Sequence, residues 1–189
     1  SEPIIRKSGD NSITIEVPGE KNIDRVRGII ERQGILELRI VSSELSSKLQ
    51  YDKENKKVLN PEIVDEKYEI KFVYKKNDKN IEEILYPLVV ETNISLSGER
   101  IKNGSVGFDD VGANVVHFEL DNLGAEQFSN ITGYNSGKQL AIILDGKIKS
   151  APKINERIPN GSGQISGDFS SDEANDLALI LKSGSLPVP

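Results

Sequence analysis

The run Leu140-Ala141-Ile142-Ile143-Leu144, followed directly by Asp145-Gly146, constrains the fold more than any other feature of this chain. Five consecutive apolar residues do not alternate between core and solvent, so they predict a strand that is covered on both faces. Asp-Gly after such a run is a strong hairpin signal. A chain of 189 residues can bury about 70% of its unfolded surface, which is enough to cover both faces of a sheet.

Alternating apolar and polar residues predict further strands, each with one buried face. A proline within an apolar run indicates an edge strand or a bulge, as expected for Pro87. The predicted strands cover residues 13–17, 36–40, 68–72, 84–90 and 116–120.

Three helices are predicted, at residues 22–34, 125–131 and 172–182. The last has the clearest signals, because Ser170 and Glu173 form a capping box. Its apolar residues follow at helical spacing and predict one buried face: Ala174, Leu177, Ala178 and Leu181. The first helix joins two strands into a βαβ unit.

Composition excludes several classes of function. The chain has no Cys and one His, His117, which excludes zinc-thiolate, iron–sulfur and multi-His sites. A net charge of −6 argues against nucleic acid as the main partner. The chain carries no nucleotide-binding or Ser-nucleophile motif, and Asp109-Asp110 fits a turn better than a cation site.

Several ordered segments resemble the SecD family, whose members assist the bacterial Sec translocase together with SecF. The matching segments include Leu140 to Gly146, Ser150-Ala151-Pro152, Ile165-Ser166-Gly167 and the terminal Leu181 to Pro187. Upstream signals agree in order: Val17-Pro18-Gly19, Gly34 to Arg39 and Leu96-Ser97-Gly98. Residues 42–84 show no family pattern.

The resemblance implies a fragment, the large first periplasmic domain of such a subunit, and the chain indeed contains no Met. The implied fold is α+β, with a ferredoxin-like split βαβ base and an inserted mixed α/β head. The base is expected at residues 1–96 and 167–189, with a polar excursion at about 42–84. The head is expected at residues 97–166.

The resemblance also implies function and partners. The domain is expected on the periplasmic side of the bacterial inner membrane, where it contacts an unfolded preprotein and assists proton-gradient-driven export. SecF and the Sec channel are the implied partners of the full-length protein. Contact with the membrane would come only through flanking helices, which also hold the family's proton-carrying residues. No catalytic residue is carried over to this chain.

Two other functions stay open at this point. One is an independent secreted ligand-binding or adhesive domain of similar α+β build. The other is an enzyme, for which a pair of carboxylates brought together by the fold would be needed. We expect neither metal nor cofactor, and we expect a monomer.

The residues expected to contact preprotein are Phe118, Leu120, Phe128 and Ile148, because they lie on the strands and helix of the implied head. An extended chain requires a shallow apolar groove or a free strand edge. The alternative is that all four are core residues. Gly98 and Gly167 are expected to act as hinges between head and base.

Overall fold

The computed structural model describes residues 4–7, 13–16, 36–77 and 81–183. Within these ranges the chain forms three α-helices: α1 (Ser43–Lys48), α2 (Asn122–Tyr134) and α3 (Ser171–Ser183). The same ranges contain thirteen strands: β1 (Ile4–Lys7), β2 (Ile13–Glu16), β3 (Leu36–Ile40), β4 (Tyr51–Asp52), β5 (Lys57–Val58), β6 (Tyr68–Lys76), β7 (Glu82–Glu91), β8 (Leu96–Ser97), β9 (Ile101–Phe108), β10 (Asn114–Leu120), β11 (Leu140–Leu144), β12 (Lys147–Ser150) and β13 (Ser162–Phe169).

Two main sheets organise these strands. The larger has six strands in the order β7-β6-β12-β11-β3-β8, and the smaller has three in the order β13-β10-β9. Two further ladders, β1-β2 and β4-β5, have two strands each. Among the described residues, β2 and β3, the two strands of the predicted βαβ unit, therefore lie in different sheets. The mixture of sheets and helices confirms the predicted α+β class.

The apolar run at residues 140–144 occupies the expected position. β11 lies between β12 and β3, and all five of its residues are buried. Its alternate side chains enter two hydrophobic clusters on opposite faces of the sheet. Asp145 and Gly146 have φ values of 51° and 77°, as the tight turn into β12 requires.

The larger cluster, cluster 1, fills the space between the two sheets and the helices. It combines Leu36, Leu38 and Ile40 of β3 with residues of β10, β11, β13, α2 and α3. The smaller, cluster 2, lies on the other face of the six-stranded sheet and includes Ala141, Ile143 and Ile148. The predicted layers on both faces of β11 are therefore confirmed.

The capping box at α3 is confirmed. The N–H of Ser170 donates to Glu173 Oε2 at 2.9 Å, and the N–H of Glu173 donates to Ser170 Oγ at 3.2 Å. The predicted apolar face is buried against cluster 1: Ala174, Leu177, Ala178 and Leu181.

Helix α2 is longer than the predicted segment at residues 125–131. Asp121 is its N-cap, and Asp121 Oδ1 accepts a hydrogen bond from the N–H of Gly124 at 2.6 Å. This hydrogen bond is the main reason that the pKa of Asp121 lies below its usual value. The predicted helix at 22–34 lies outside the described residues, and so does a last base strand near Leu186.

The predicted boundary between base and head passes through the larger sheet. β3, assigned to the base, pairs with β11, assigned to the head, from Leu36↔Leu144 to Ile40↔Leu140. Cluster 1 also takes residues from both parts. Separate motion of head and base stays a prediction, and any such motion has to keep β3 and β11 in one unit.

The segment predicted as a polar excursion, residues 42–84, has two parts. Residues 42–66 form α1 and the β4–β5 hairpin, and no residue of α1 is buried. From Tyr68 onwards the chain belongs to the six-stranded sheet as β6 and β7. β7 is an edge strand, as Pro87 predicted, and its pairing with β6 shifts register between Val73 and Tyr74.

We expect limited trypsin digestion to cut first at Lys53, Lys56 or Lys57. These lysines lie in the exposed β4–β5 hairpin, whose two strands have two residues each, so local opening costs little. Lys138 is also exposed, but backbone hydrogen bonds hold both its N–H and its carbonyl. Mass spectrometry of the first fragments measures the order, and a first cut at Lys138 would contradict the expectation.

No helix within the described ranges is long and apolar enough to span a bilayer.

Candidate functional site

A groove of about 240 Å³ lies beside β13, at the free edge of the three-stranded sheet. We call it the edge groove. One wall is β13 itself, and the other is the segment that follows β12. Among the residues that line it are Phe118, Phe128, Ile154, Ile158, Gln164 and Ile165.

Two phenylalanines contribute to the apolar floor of the edge groove. The rings of Phe118 and Phe128 meet edge to face, with centroids 5.6 Å apart and an interplanar angle of 80°. Phe118 is paired across the sheet with Gly163. A Cβ atom at position 163 would lie 2.7 Å from Cε1 of Phe118, so the glycine provides the space for this ring.

The outer edge of β13 turns the backbone groups of Gln164 towards the groove, and no described residue pairs with them. The N–H of Leu120 donates to the carbonyl of Gly161, and the same register pairs Phe118 with Gly163 and Val116 with Ile165. Backbone groups alternate in direction along a strand, so those of Gln164 point away from β10. Ser166 confirms the alternation, because its carbonyl accepts from Ser150 Oγ on the outer side.

The other wall of the edge groove is held in place by hydrogen bonds to α2 and to the segment just before β11. The N–H of Ile158 donates to Thr132 Oγ1 at 2.9 Å, and Arg157 Nε donates to Ser129 Oγ at 2.7 Å. The N–H of Ile154 donates to the carbonyl of Lys138 at 2.8 Å. The groove is therefore a preformed feature with two fixed walls.

All four residues predicted to contact preprotein are buried. Phe118 and Phe128 line the edge groove, and Leu120 belongs to the same cluster 1. Ile148 is fully buried in cluster 2, on the opposite face of the six-stranded sheet, so the structure does not bring it together with the other three. Their role in binding stays a prediction.

The two predicted hinge glycines differ in their surroundings. Gly98 is buried, and a Cβ atom there would lie 2.8 Å from Cβ of Leu36, so close packing explains the absence of a side chain. Gly167 lies in β13 where the pairing with β10 shifts register, between Ser166↔Val115 and Phe169↔Asn114. Hinge motion at either position stays a prediction.

A second, larger groove of about 440 Å³ lies between α3 and the β6–β7 hairpin, and no pattern in the sequence predicted it. We call it the hairpin groove. Leu85 and Tyr86 line it and are 43% and 46% exposed. Ile84 pairs with Tyr74 and Tyr86 pairs with Val73, so Leu85 is the extra residue of a bulge. Pro87 was the sequence signal for this bulge.

One carboxylate joins the hairpin to β12 near this groove. Glu82 of β7 forms ion pairs with both Lys147 and Lys149, and Lys147 Nζ lies 4.9 Å from the ring centroid of Tyr74. Partial burial acts to raise the pKa of Glu82, but the hydrogen bonds and charges of the two lysines outweigh it and lower the pKa. β6 and β12 otherwise pair only at Ile148↔Val73 among the described ladders.

We expect Glu82→Gln to lower the free energy of unfolding by about 1–2 kcal/mol at pH 7, because charge-assisted hydrogen bonds to two lysines are lost. The folded pKa of Glu82 is depressed, so its contribution is present above the unfolded pKa of about 4.3 and is lost as the pH falls through the folded pKa. Urea titrations from pH 7 to pH 3 should show the difference shrinking below about pH 4.3. Glu62→Gln, at an exposed position, is the control, and a difference that does not depend on pH would contradict this electrostatic explanation.

The described residues contain no recognisable metal-binding site. No group of three or more His, Cys, Asp or Glu side chains in this part of the chain is arranged to hold an ion.

Comparison with protein families gives two matches that together cover most of the chain. The family model for the SecDF P1 head subdomain matches residues 71–188, so the expectation that residues up to 84 lack a family pattern is wrong for residues 71–84. The model for the N-terminal part of the P1 domain of protein translocase subunit SecDF matches residues 1–43.

Individual relatives agree with these families. Protein translocase subunit SecD of Desulfurispirillum indicum is 39% identical over the whole chain, and that of Magnetococcus marinus is 36% identical. The chain spans only 35% and 34% of these two relatives, about a third of their length.

Two solved structures of SecDF share the fold. A crystal structure of SecDF in a super-membrane-facing form has a TM-score of 0.59 and 28% identity, over all of this chain and 24% of that one. A structure of SecDF described as a membrane component that enhances protein export has a TM-score of 0.56 and 30% identity, over all of this chain and 81% of that one.

Proposed function

This chain belongs to the SecD family of protein translocase subunits, and we propose that it contacts an unfolded preprotein on the periplasmic side of the membrane and assists its export. Family membership favours this function over an independent adhesive domain. We assign no catalytic role to the chain, in keeping with relatives named as translocase subunits.

The observation that carries the proposal is the edge groove. An unfolded chain in transit offers free backbone N–H and carbonyl groups together with scattered apolar side chains. The edge of β13 at Gln164 can pair with the backbone, and the floor around Phe118 and Phe128 can receive side chains. Strand addition of this kind takes affinity from main-chain hydrogen bonds, so it tolerates many sequences.

Binding at the edge groove has to be weak, because a tight complex would hold back the chain that is being exported. A dissociation constant between micromolar and millimolar corresponds to about −8 to −4 kcal/mol. A few buried side chains can supply this free energy. The small volume of the groove, about 240 Å³, fits one or two side chains at a time.

The partners and the energy source belong to the whole subunit. The chain spans about a third of its curated relatives, so we place the proton-driven step and the contacts with SecF and the Sec channel mainly outside it. This division leaves transient contact with the moving polypeptide to the described domain, and such contact needs no cofactor.

The test is photocrosslinking in membranes that contain the full-length protein and a stalled preprotein. We expect a photoreactive residue at position 164 to form adducts with the preprotein. The same residue at position 59, an exposed site directly after β5 that lines neither groove, serves as the background. Adducts of equal yield at both positions, or none at position 164, would contradict the proposal.

A pair of variants tests the backbone pairing itself. Gln164→Pro removes an outward N–H and leaves the β10–β13 ladder intact, since that ladder uses Gly163 and Ile165. Gln164→Ala is the control, because it keeps the N–H. We expect the proline variant to reduce adducts from a photoreactive residue at the neighbouring position 162, and the alanine variant to leave them unchanged. Equal effects of the two variants would mean that the edge does not pair with the preprotein.

A further inference from the structure

The turn between β9 and β10 exposes two large apolar side chains. Phe108 is 71% exposed and Val111 is 88% exposed. Single exposed apolar residues are common on protein surfaces and need no explanation. Here two of them lie within four residues of one another at the end of a hairpin, and we call this pair the apolar tip.

The turn that carries the apolar tip is fixed by local hydrogen bonds. Asp109 Oδ1 accepts from the N–H groups of Val111 and Ala113, at 3.0 and 2.8 Å. The N–H of Asp109 donates to the carbonyl of Ala113, and the N–H of Gly112 donates to the carbonyl of Asp109. Gly112 has a φ of 81°, which favours glycine.

These bonds show that the turn itself does not require apolar side chains. Asp109 and Gly112 account for its geometry, and a Cβ atom at Gly112 would meet no other atom within 4 Å. Neither the Phe108 nor the Val111 side chain takes part in these bonds, so the turn does not depend on their apolar character. A fixed turn also binds at a lower entropic cost than a flexible one, because its conformation is already set.

The charge around the apolar tip is negative. Asp109 and Asp110 lie between its two side chains in sequence, and both precede the exposed Val111. Asn114 Nδ2 donates to the carbonyl of Phe169, which joins this end of the sheet to the start of α3. The first turn of α3 adds Asp172 and Glu173. Anionic lipid headgroups would be repelled by such a surface, whereas lysine and arginine side chains would be attracted.

We propose that the apolar tip inserts into an apolar pocket rimmed by lysine or arginine on a folded protein surface outside this chain. A protruding pair of side chains requires a concave partner, which an unfolded polypeptide does not offer. About two thirds of the length of the SecD relatives lies outside the matched region, so such a surface can belong to the same subunit. This contact is separate from the edge groove and does not depend on preprotein binding there.

The experiment uses the full-length protein in its native membrane, with a photoreactive phenylalanine analogue at position 111. We expect a discrete adduct with a protein segment whose mapped contact site is apolar and flanked by lysine or arginine. Asp110→Lys should reduce the yield roughly fivefold or more, because it reverses the charge that meets the basic rim. An adduct with lipid, the absence of a protein adduct, or a yield unchanged by Asp110→Lys would overturn the proposal.

Two controls keep the result specific to the apolar tip. The photoreactive residue at position 59 measures the yield expected from an exposed site with no assigned partner. Glu62→Lys, in place of Asp110→Lys, makes the same charge change at an exposed position far along the chain and should leave the yield unchanged. A loss of yield with Glu62→Lys equal to that with Asp110→Lys would contradict a local basic rim.

Discussion

Ile143→Ala is expected to lower the free energy of unfolding by about 2–5 kcal/mol, which is the range for large-to-small changes in a core that cannot collapse around the cavity. Ile143 has no exposed surface and lies in β11, with a paired strand on each side. Its side chain belongs to cluster 2, so neighbouring strands hold the cavity open. For a chain of this length the melting temperature should fall by roughly 5–15 °C.

Thermal and urea unfolding followed by circular dichroism measure this change. Ile94→Ala removes the same atoms from a residue that is 48% exposed, and it should alter the free energy of unfolding by less than about 0.5 kcal/mol. Equal losses in the two variants would show that β11 is not the central strand of a packed sheet.

Arg39→Met is expected to destabilise the protein by about 2–3 kcal/mol. Arg39 is only 8% exposed, and its guanidinium contacts Glu37 Oε2 from Nη2 at 2.7 Å and also pairs with Glu69. Removing one partner of a buried ion pair costs about 3–5 kcal/mol when the remaining charge is fully buried. The Glu37 and Glu69 side chains are 16% and 36% exposed, so water can partly solvate their charges and the expected loss of stability is smaller.

A second substitution separates charge from packing at this position. Lys71 also contacts Glu69, so within the described part of the chain Glu37 is the carboxylate left without a cation when Arg39 is replaced. Glu37→Gln in the Arg39→Met background should therefore recover part of the lost stability. Lys48→Met breaks an exposed ion pair with Glu44 in α1 and should have no measurable effect. A double variant no more stable than Arg39→Met would assign the loss to packing alone.

Local sequence signals predicted several elements correctly. The apolar run 140–144 with its Asp-Gly turn, the capping box of α3 and the edge position of β7 were all predicted from spacing and residue type. The turn at Asp109 was predicted as well. Each of these signals acts within a few residues, through side-chain alternation, hydrogen bonding to the nearest backbone groups or a restricted φ angle.

The resemblance to known proteins also predicted the family to which the chain belongs. Ordered short segments identified the SecD family, and two family models that cover residues 1–43 and 71–188 confirm it. Short segments cannot show which side chains face a groove. Phe118, Phe128 and Ile148 were all selected by their place on a predicted strand or helix. The structure puts the two phenylalanines in cluster 1, whereas Ile148 lies in cluster 2 on the opposite face of the six-stranded sheet.

Only the tertiary structure decided which strands pair. That pairing in turn set the positions of the candidate binding sites. β3 lies beside β11, about 100 residues further along the chain, and no local pattern distinguishes this partner from another buried strand. The entropic cost of closing a loop changes only slowly with loop length, so sequence separation does not decide which strand pairs with β3. The joint packing of all strands and helices selects β11. The same long-range pairing leaves β13 with one free edge and opens the two grooves beside it and beside β7. The amino-acid sequence by itself therefore determined the family and those elements that have strong local signals. It missed α1 and β9, and the positions of the candidate binding surfaces followed from packing between distant segments.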